Sequence, residues 1–293
     1  MGALEGRIAA ITGAGRGIGR EHALLFAAEG AKVVVNDLGG SSDGSGSDIG
    51  AAQEVVNEIT ANGGEAVAHT EDISSWDGAA SLISTAVEKF GQLDVLVNNA
   101  GILRDSYITG MDENQWDSVI KVHLKGHFCT VHHAANHWRE RSKAGEEFKA
   151  AIVNTASGSG TYVPNAGQAN YGAAKAGIAA LTQVASMELD RYGVRANAIA
   201  PVARTRLTED VPMIGDMVAP PEDPSAFDAF DPANISPLVA YLASEDCTIN
   251  GKLFAVQGGM IGECSPWELG TTHESEGPWT VESVKAELSG ATV

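Results

Sequence analysis

Residues 7–37, RIAAITGAGRGIGREHALLFAAEGAKVVVND, decide the fold. A short apolar run ending at Thr12 leads into a glycine turn, Gly13-Ala-Gly-Arg-Gly17-Ile-Gly19. The turn opens a helical pattern, HALLFAAEG, and a second apolar run, VVVND, ends on Asp37. Strand, glycine turn, helix, strand and acid in this order are the arrangement that binds a dinucleotide. Glycine lets backbone approach a pyrophosphate, and a helix N-terminus favours its negative charge. The spacing is G-x-x-x-G-x-G, neither the G-x-G-x-x-G pattern nor a P-loop with its Gly-Lys-Ser/Thr. Asp37 gives the turn its weight. A carboxylate at this strand end is placed to bond adenosine ribose hydroxyls and repels a 2′-phosphate. The expected cofactor is therefore NAD, not NADP.

Outward from this unit the alternation continues. After a polar, glycine-rich loop at 39–50, expected to be mobile, come a helix (AAQEVVNEITANG), a third strand ending at Asp72, and a helix over about 76–90. LDVLVNNAG is a fourth strand, whose Asn98-Asn99-Ala100-Gly101 turn lies at the carboxyl end, where open α/β sheets bind ligands. One long helix is expected at 113–141, then the strand AAIVNTA, a helix to about 191, and the strand VRANAIAP. Residues 203–235 read as a loop region over the site, ISPLVAYLAS as a helix and LFAVQGG as the last strand. The sum is an α/β fold: a Rossmann-like, doubly wound parallel sheet of seven strands in one domain over 1–261. Residues 262–293, with Trp267 and Trp279, are expected to be an extension packed at a subunit interface, because large apolar rings are seldom left in water.

Composition sets bounds on the partners. With 44% hydrophobic residues in 293, the chain can build a large core, and none of its apolar runs is long enough to span a bilayer. Its start has neither a secretory signal nor an N-myristoylation pattern. The net charge of −19 argues against nucleic acid and against an anionic membrane surface. Cys129, Cys247 and Cys264 are widely spaced and form neither a disulfide framework nor a metal knuckle, so a cytoplasmic location is expected. The 113–141 segment carries histidines at 123/127 and 133/137, the i, i+4 spacing of metal sites. No H-E-x-x-H or thiolate set accompanies them; no metal is expected, and apart from His123 these side chains read as exposed or partner-facing.

The chemistry resides in residues 157–175, SGSGTYVPNAGQANYGAAK. Tyr171 and Lys175 are four apart and share a helix face. A free tyrosine, with a pKa of about 10, is a poor base near neutrality. A neighbouring ammonium stabilises the phenolate and brings proton transfer into range. Ser157, after an apolar strand, is placed to hold the substrate oxygen.

These segments together resemble the short-chain dehydrogenase/reductase family: TGAGRGIG at 12–19, NNAG at 98–101, Ser157, YGAAK at 171–175 and NAIAP at 197–201. The resemblance covers essentially the whole chain. It implies a catalytic set of Ser157, Tyr171 and Lys175, with Lys175 also on the nicotinamide ribose. It puts Asp72 and Ile73 near the adenine and Asn99, Ala100 and Gly101 along the nicotinamide side, and adds Arg16, Ile18 and Pro201 to the cofactor set. Homodimers or homotetramers are the family's usual assemblies. Where the family commonly has a fourth catalytic residue, an Asn, this chain has His123 in KVHLKG. Either its side chain serves the proton relay or only its backbone carbonyl does.

NDLGG, NAGILRDSY, VHLKG and GQANY are similar to the (3R)-hydroxyacyl-CoA dehydrogenase branch, which includes a region of peroxisomal multifunctional enzyme type 2. Bacterial hydroxysteroid and steroid-side-chain-CoA dehydrogenases share them. The implied activity is NAD-dependent oxidation of a secondary hydroxyl, foremost that of a 3-hydroxyacyl-CoA, with a hydroxysteroid or steroid-side-chain-CoA substrate as the alternative. A non-catalytic NAD-binding scaffold is the reading from another class. In so acidic a protein CoA phosphates need local cations, and Arg104, Arg204 and Arg206 are the candidates.

Overall fold

A computed structural model of the chain describes residues 2–46, 50–206, 215, 218–223, 225–265 and 268–289. Strand β1 (Ile8–Thr12) is buried along its whole length and sends alternate residues to opposite faces. Ala9 and Ile11 join one apolar cluster, Ile8 and Ala10 the other. The same division holds in β2 (Lys32–Asn36), where Val33 and Val35 face one layer and Val34 the other. A strand covered on both faces has to be apolar throughout, which is why these runs do not alternate with polar residues.

The strand order is β3-β2-β1-β4-β5-β6-β7-β8, with β3 at Glu65–His69, β4 at Val95–Asn98, β5 at Ala150–Thr155, β6 at Val194–Pro201 and β7 at Leu253–Gln257. All neighbouring pairs from β3 through β7 are parallel. The order reverses between β1 and β4, and this switch point opens a crevice at the carboxyl ends of the strands. Among the described residues, helices α1 (Gly17–Ala28) and α2 (Gly50–Ala61) cover one face, while α3 (Trp76–Phe90) covers the other.

Two elements differ from the sequence reading. The sheet has eight strands, not seven. Gly258 takes a left-handed φ of 50° and turns the chain back, so that β8 (Met260–Cys264) runs antiparallel to β7. This hairpin carries the sheet across the expected boundary at 261/262. The single long helix at 113–141 is also broken. Asp112 and Gln115 form a capping box that starts α4 (Glu113–Ile120), a π-helical turn follows at Lys121–Lys125, and α5 runs from Gly126 to Lys143. Gly126 sits where a Cβ would come 2.6 Å from Ile73 Cδ1, so a larger residue there would require the Ile73 side chain to move.

Helix α6 (Ala169–Leu189) carries Tyr171 and Lys175, and α7 (Ser236–Ala243) packs on the α1 side. In the C-terminal segment α8 (Val281–Leu288) buries none of its residues in the chain's own core. Trp279 is exposed, and Trp267 lies outside the described residues. No helix among the described residues is long and apolar enough to cross a membrane.

Candidate active site

The glycine turn and the NNAG turn are built against each other. Gly13 has a φ of 63°, and a Cβ there would lie 2.7 Å from Ala100 Cα. At Gly19 a Cβ would lie 2.1 Å from the Gly13 carbonyl oxygen, so only glycine lets α1 begin under the turn. Asn99 Nδ2 donates to the carbonyls of Thr12 and Gly13 at 3.2 and 3.1 Å. Thr12 Oγ1 accepts from the amides of Asn99 and Ala100 at 2.9 and 3.1 Å. Thr12 therefore fixes the two turns relative to each other, a role that sequence reasoning missed because one threonine at a strand end carries no pattern.

One crevice is lined by most of the expected cofactor residues. Gly13, Arg16, Gly17 and Ile18 contribute from the first turn, and Asp37, Asp72 and Ile73 from the next two strand ends. Asn99, Ala100 and Gly101 face Tyr171, Lys175 and Pro201 across it. Asp37 is held in place: Oδ2 accepts from Gly15 N at 2.8 Å and Oδ1 from Gly39 N at 2.6 Å. Asp72 accepts from both the amide and hydroxyl of Ser74, at 2.9 and 2.5 Å, and pairs with Lys121 at 3.3 Å. Burial pushes its carboxyl up, but Ser74 and Lys121 outweigh this and leave it below the usual range. A crevice with two close-approach glycines, a helix N-terminus and a fixed carboxylate at the adjacent strand end fits a nicotinamide dinucleotide.

The loop at 39–46 was expected only to be mobile, yet it lines the crevice through Gly40, Ser41, Ser42, Gly44 and Gly46. Leu103 N donates to Ser42 O at 2.9 Å, and Arg104 Nε to Asp43 O at 2.9 Å. The loop thus forms a strap between β2 and the segment after β4. Gly44, at φ 83°, would bring a Cβ within 3.1 Å of Ile102, which marks how closely the strap lies. Arg206 Nη2 reaches Gly40 O at 3.5 Å and lines the same crevice. Arg204 is used differently. Its guanidinium pairs with Asp228 and donates to Val218 O at 3.0 Å, holding the 218–231 segment.

Ser157, Tyr171 and Lys175 come together at the inner wall. Gly160 makes this possible: a Cβ there would lie 2.4 Å from Ala176 N, so the serine loop packs directly on α6. The Ser157 hydroxyl is the neighbour of Tyr171 that favours the ionised form of its phenol. Lys175, only 2% exposed, donates to Thr155 O at 2.6 Å, and its ammonium lies 5.4 Å from the centre of the Tyr171 ring. Burial pulls Lys175 down to about 7. Tyr171 is pushed up to about 12, chiefly by burial and further by the charge of Asp105, against the Ser157 hydrogen bond. The depression expected from Lys175 is not seen, since desolvation disfavours both charged forms and raises Tyr171 while it lowers Lys175.

His123 lies on the π turn, a helical irregularity common at functional sites. Its ring packs on Gly101, where a Cβ would come 2.4 Å from Cε1, and stands edge-on to Tyr171 with centroids 5.2 Å apart. Nε2 lies 2.8 Å from Ile102 O and 3.1 Å from Ile102 N, while Nδ1 has no partner. Burial, with Lys175 nearby, keeps the ring neutral far below its ordinary range. The other histidines are not all outward-facing as expected: His127 is also buried and held down to about 3 by burial. His132 and His133 pack with the exposed rings of Trp76 and Phe128. Among the described residues no group of three His, Cys, Asp or Glu side chains is placed to hold a metal.

The chain is similar to known proteins along most of its length. The profile of the short chain dehydrogenase family matches residues 7–212. The hydroxyacyl-CoA dehydrogenase ChsB1 of Mycobacterium tuberculosis is 42% identical over 97% of this chain and 88% of its own. Mouse peroxisomal multifunctional enzyme type 2 is 40% identical over 96% of this chain, which spans only 36% of that larger protein. The crystal structure of a short chain dehydrogenase from Mycobacterium avium superposes with a TM-score of 0.86 at 50% identity, covering 98% of this chain and 95% of the other. The chain belongs to the short-chain dehydrogenase/reductase family, as an oxidoreductase that acts on CH–OH groups with a nicotinamide cofactor.

Proposed function

We propose that this protein is an NAD-dependent dehydrogenase of 3-hydroxyacyl-CoA thioesters. The observation that carries the reading is that Tyr171 and Lys175 line a dinucleotide crevice, with Ser157 as the neighbour that favours the Tyr171 phenolate. That this chain is 42% identical to a hydroxyacyl-CoA dehydrogenase over nearly its whole length supports the substrate class. NAD is chosen over NADP because the fixed Asp37 carboxylate would oppose a 2′-phosphate.

In this reading Ser157 holds the substrate oxygen by hydrogen bonding, and Tyr171 takes its proton. Lys175, anchored on Thr155 O, sets the field in which the phenol ionises and bonds the nicotinamide ribose. The cofactor, when bound, accepts the hydride from the carbinol carbon. Asn99 to Gly101 and the glycine turn orient it, and Asp37 and Asp72 border its adenosine end. His123, neutral and resting on Ile102, shapes the wall beside Tyr171. Arg206 and Arg104 are the cations available to CoA phosphates at the rim; Arg204 is already engaged with Asp228. The exposed Trp76–Phe128 face and the C-terminal segment are assigned to self-association into dimers or tetramers, in a reducing, cytoplasmic setting.

Tyr171→Phe tests the chemistry. The variant should bind NAD with near wild-type affinity, by fluorescence titration, yet turn over roughly 10²–10⁴-fold more slowly. Turnover close to wild type would remove Tyr171 from the reaction.

A further inference from the structure

The outer lip of the site, residues 102–110, is joined to the serine loop by side chains that the proposed chemistry does not use. Asp105 Oδ2 accepts from Gln168 Nε2 at 2.8 Å. Gln168 Oε1 in turn accepts from Ser159 Oγ at 2.8 Å. Asn165 Nδ2 donates to the same serine hydroxyl at 2.9 Å, and Ser159 N donates to Ser157 Oγ at 3.2 Å. Ser106 N bonds Gly167 O at 2.9 Å, and Asn170 Nδ2 bonds Arg104 O at 3.0 Å, so the backbone joins along the same line. The result is a hydrogen-bonded path from Asp105 through Gln168 and Ser159 to the oxygen of Ser157, the hydroxyl that favours ionisation of Tyr171.

A carboxylate is an unexpected choice here. A glutamine-to-amide contact would fasten the two lips as well, and an anion next to a phenol that must ionise works against the ionisation. We propose that Asp105 is a positioning residue of this site: clasped by Gln168, it fixes the serine loop, and its charge opposes the phenolate of Tyr171. The proposal rests on the reading of Tyr171 as the proton acceptor.

The groups facing Tyr171 define the balance. Lys175 lies below on the same helix, neutral His123 comes from the π turn, Ser157 from the loop after β5, and Asp105 from the lip after β4. His127 faces Lys175 from α5 and is neutral. Among the described residues that act on Tyr171, Asp105 is the anion. Its own carboxyl is pushed up by the surrounding protein and pulled down by Gln168, so it becomes charged somewhat above the ordinary range. Because the side chain lies at the solvent-exposed mouth, salt screens its effect.

The sign follows directly. Oxidation needs the phenolate, so the rate rises with pH through the Tyr171 ionisation in the ternary complex. Removing an adjacent negative charge makes the phenolate easier to form and moves that rise to lower pH. Asp105→Asn keeps an oxygen for Gln168 while deleting the charge. Its rising limb of kcat should move down by roughly half a pH unit to one unit, with the displacement shrinking in added salt. Asp105→Glu should return the limb towards the wild-type position. Asp105→Ser deletes the charge with a smaller polar side chain and should move the limb the same way, which keeps the test open if Asp105→Asn folds poorly. A limb that stays fixed in folded, NAD-binding Asp105→Asn or Asp105→Ser protein, whatever happens to the size of kcat, overturns the proposal. Wild-type turnover by Tyr171→Phe would instead overturn the reading beneath it, so the two failures are distinct.

Discussion

The cofactor side and the substrate side of the crevice are held together by different means. On the cofactor side Gly13 and Gly19 approach backbone that a methyl group would strike, and Thr12 and Asn99 bond main-chain groups across the two turns. The walls at 102–110 and 157–168 are joined by side-chain bonds such as Gln168 to Asp105, and Arg204 is joined in the same way to Asp228. A backbone-built surface suits a ligand that never changes, because phosphates and ribose are met by fixed amides and carboxylates. A surface built from side-chain clasps can be re-cut for another substrate by substitutions that leave the sheet alone. The contrast teaches where specificity resides: the cofactor half is committed by geometry, the substrate half by chemistry on loops.

The largest expected break in this contrast falls on Lys175, which belongs to both halves. Lys175→Met should abolish turnover and also stabilise the ligand-free protein. The sign is that of a buried base whose folded pKa, about 7, lies below its unfolded value of 10.5. The wild-type penalty is present in full below about pH 7 and fades as pH rises towards 10.5. Melting temperatures across that range should show the variant ahead of wild type at low pH and the gap closing at high pH. A variant less stable than wild type at pH 6 would mean that the Thr155 hydrogen bond outweighs desolvation.

Gly19→Ala tests the backbone side. Its Cβ would meet the Gly13 carbonyl at 2.1 Å, so the turn must open. We expect NAD affinity to fall about tenfold or more, with a loss of stability of roughly 1–3 kcal/mol. Unchanged NAD titration would show the turn to be softer than this packing implies. The smallest effects belong to the arginines, and they sharpen the comparison. Arg204→Ala should lower the melting temperature by about 2–4 °C, in line with about 1 kcal/mol for a part-buried pair. Arg206→Ala should leave stability alone and raise KM for a CoA ester a few-fold at low salt, with little change for an uncharged alcohol. The reverse assignment of effects would exchange their roles.

The same contrast explains what the sequence discloses. The glycine turn, Asp37 and the NNAG strand end are legible because each follows from a backbone constraint that leaves few residue types. Tyr171 and Lys175 are legible from helical spacing alone. The π turn is not, since residues 113–141 keep a continuous helical pattern across the break at Lys121–Lys125. The eighth strand is hidden for a similar reason: MIGEC is short and weakly patterned, and becomes a strand because Gly258 returns it to β7. Nor does sequence show Gln168 bonded to Asp105 or Arg204 to Asp228, because long side chains choose partners only after the loops are placed. The strap at 39–46 reads as a loose polar loop, and only its bonds to Leu103 and Arg104 make it a wall.

The measurement that bears most directly on the central claim is steady-state oxidation of a 3-hydroxyacyl-CoA series alongside a hydroxysteroid panel, each with NAD and with NADP. The account predicts reduced cofactor formed from the thioesters, with kcat/KM for NAD well above that for NADP through the carboxylate of Asp37. Turnover confined to hydroxysteroids, equal use of both cofactors, or NAD binding without oxidation of any panel member would contradict it.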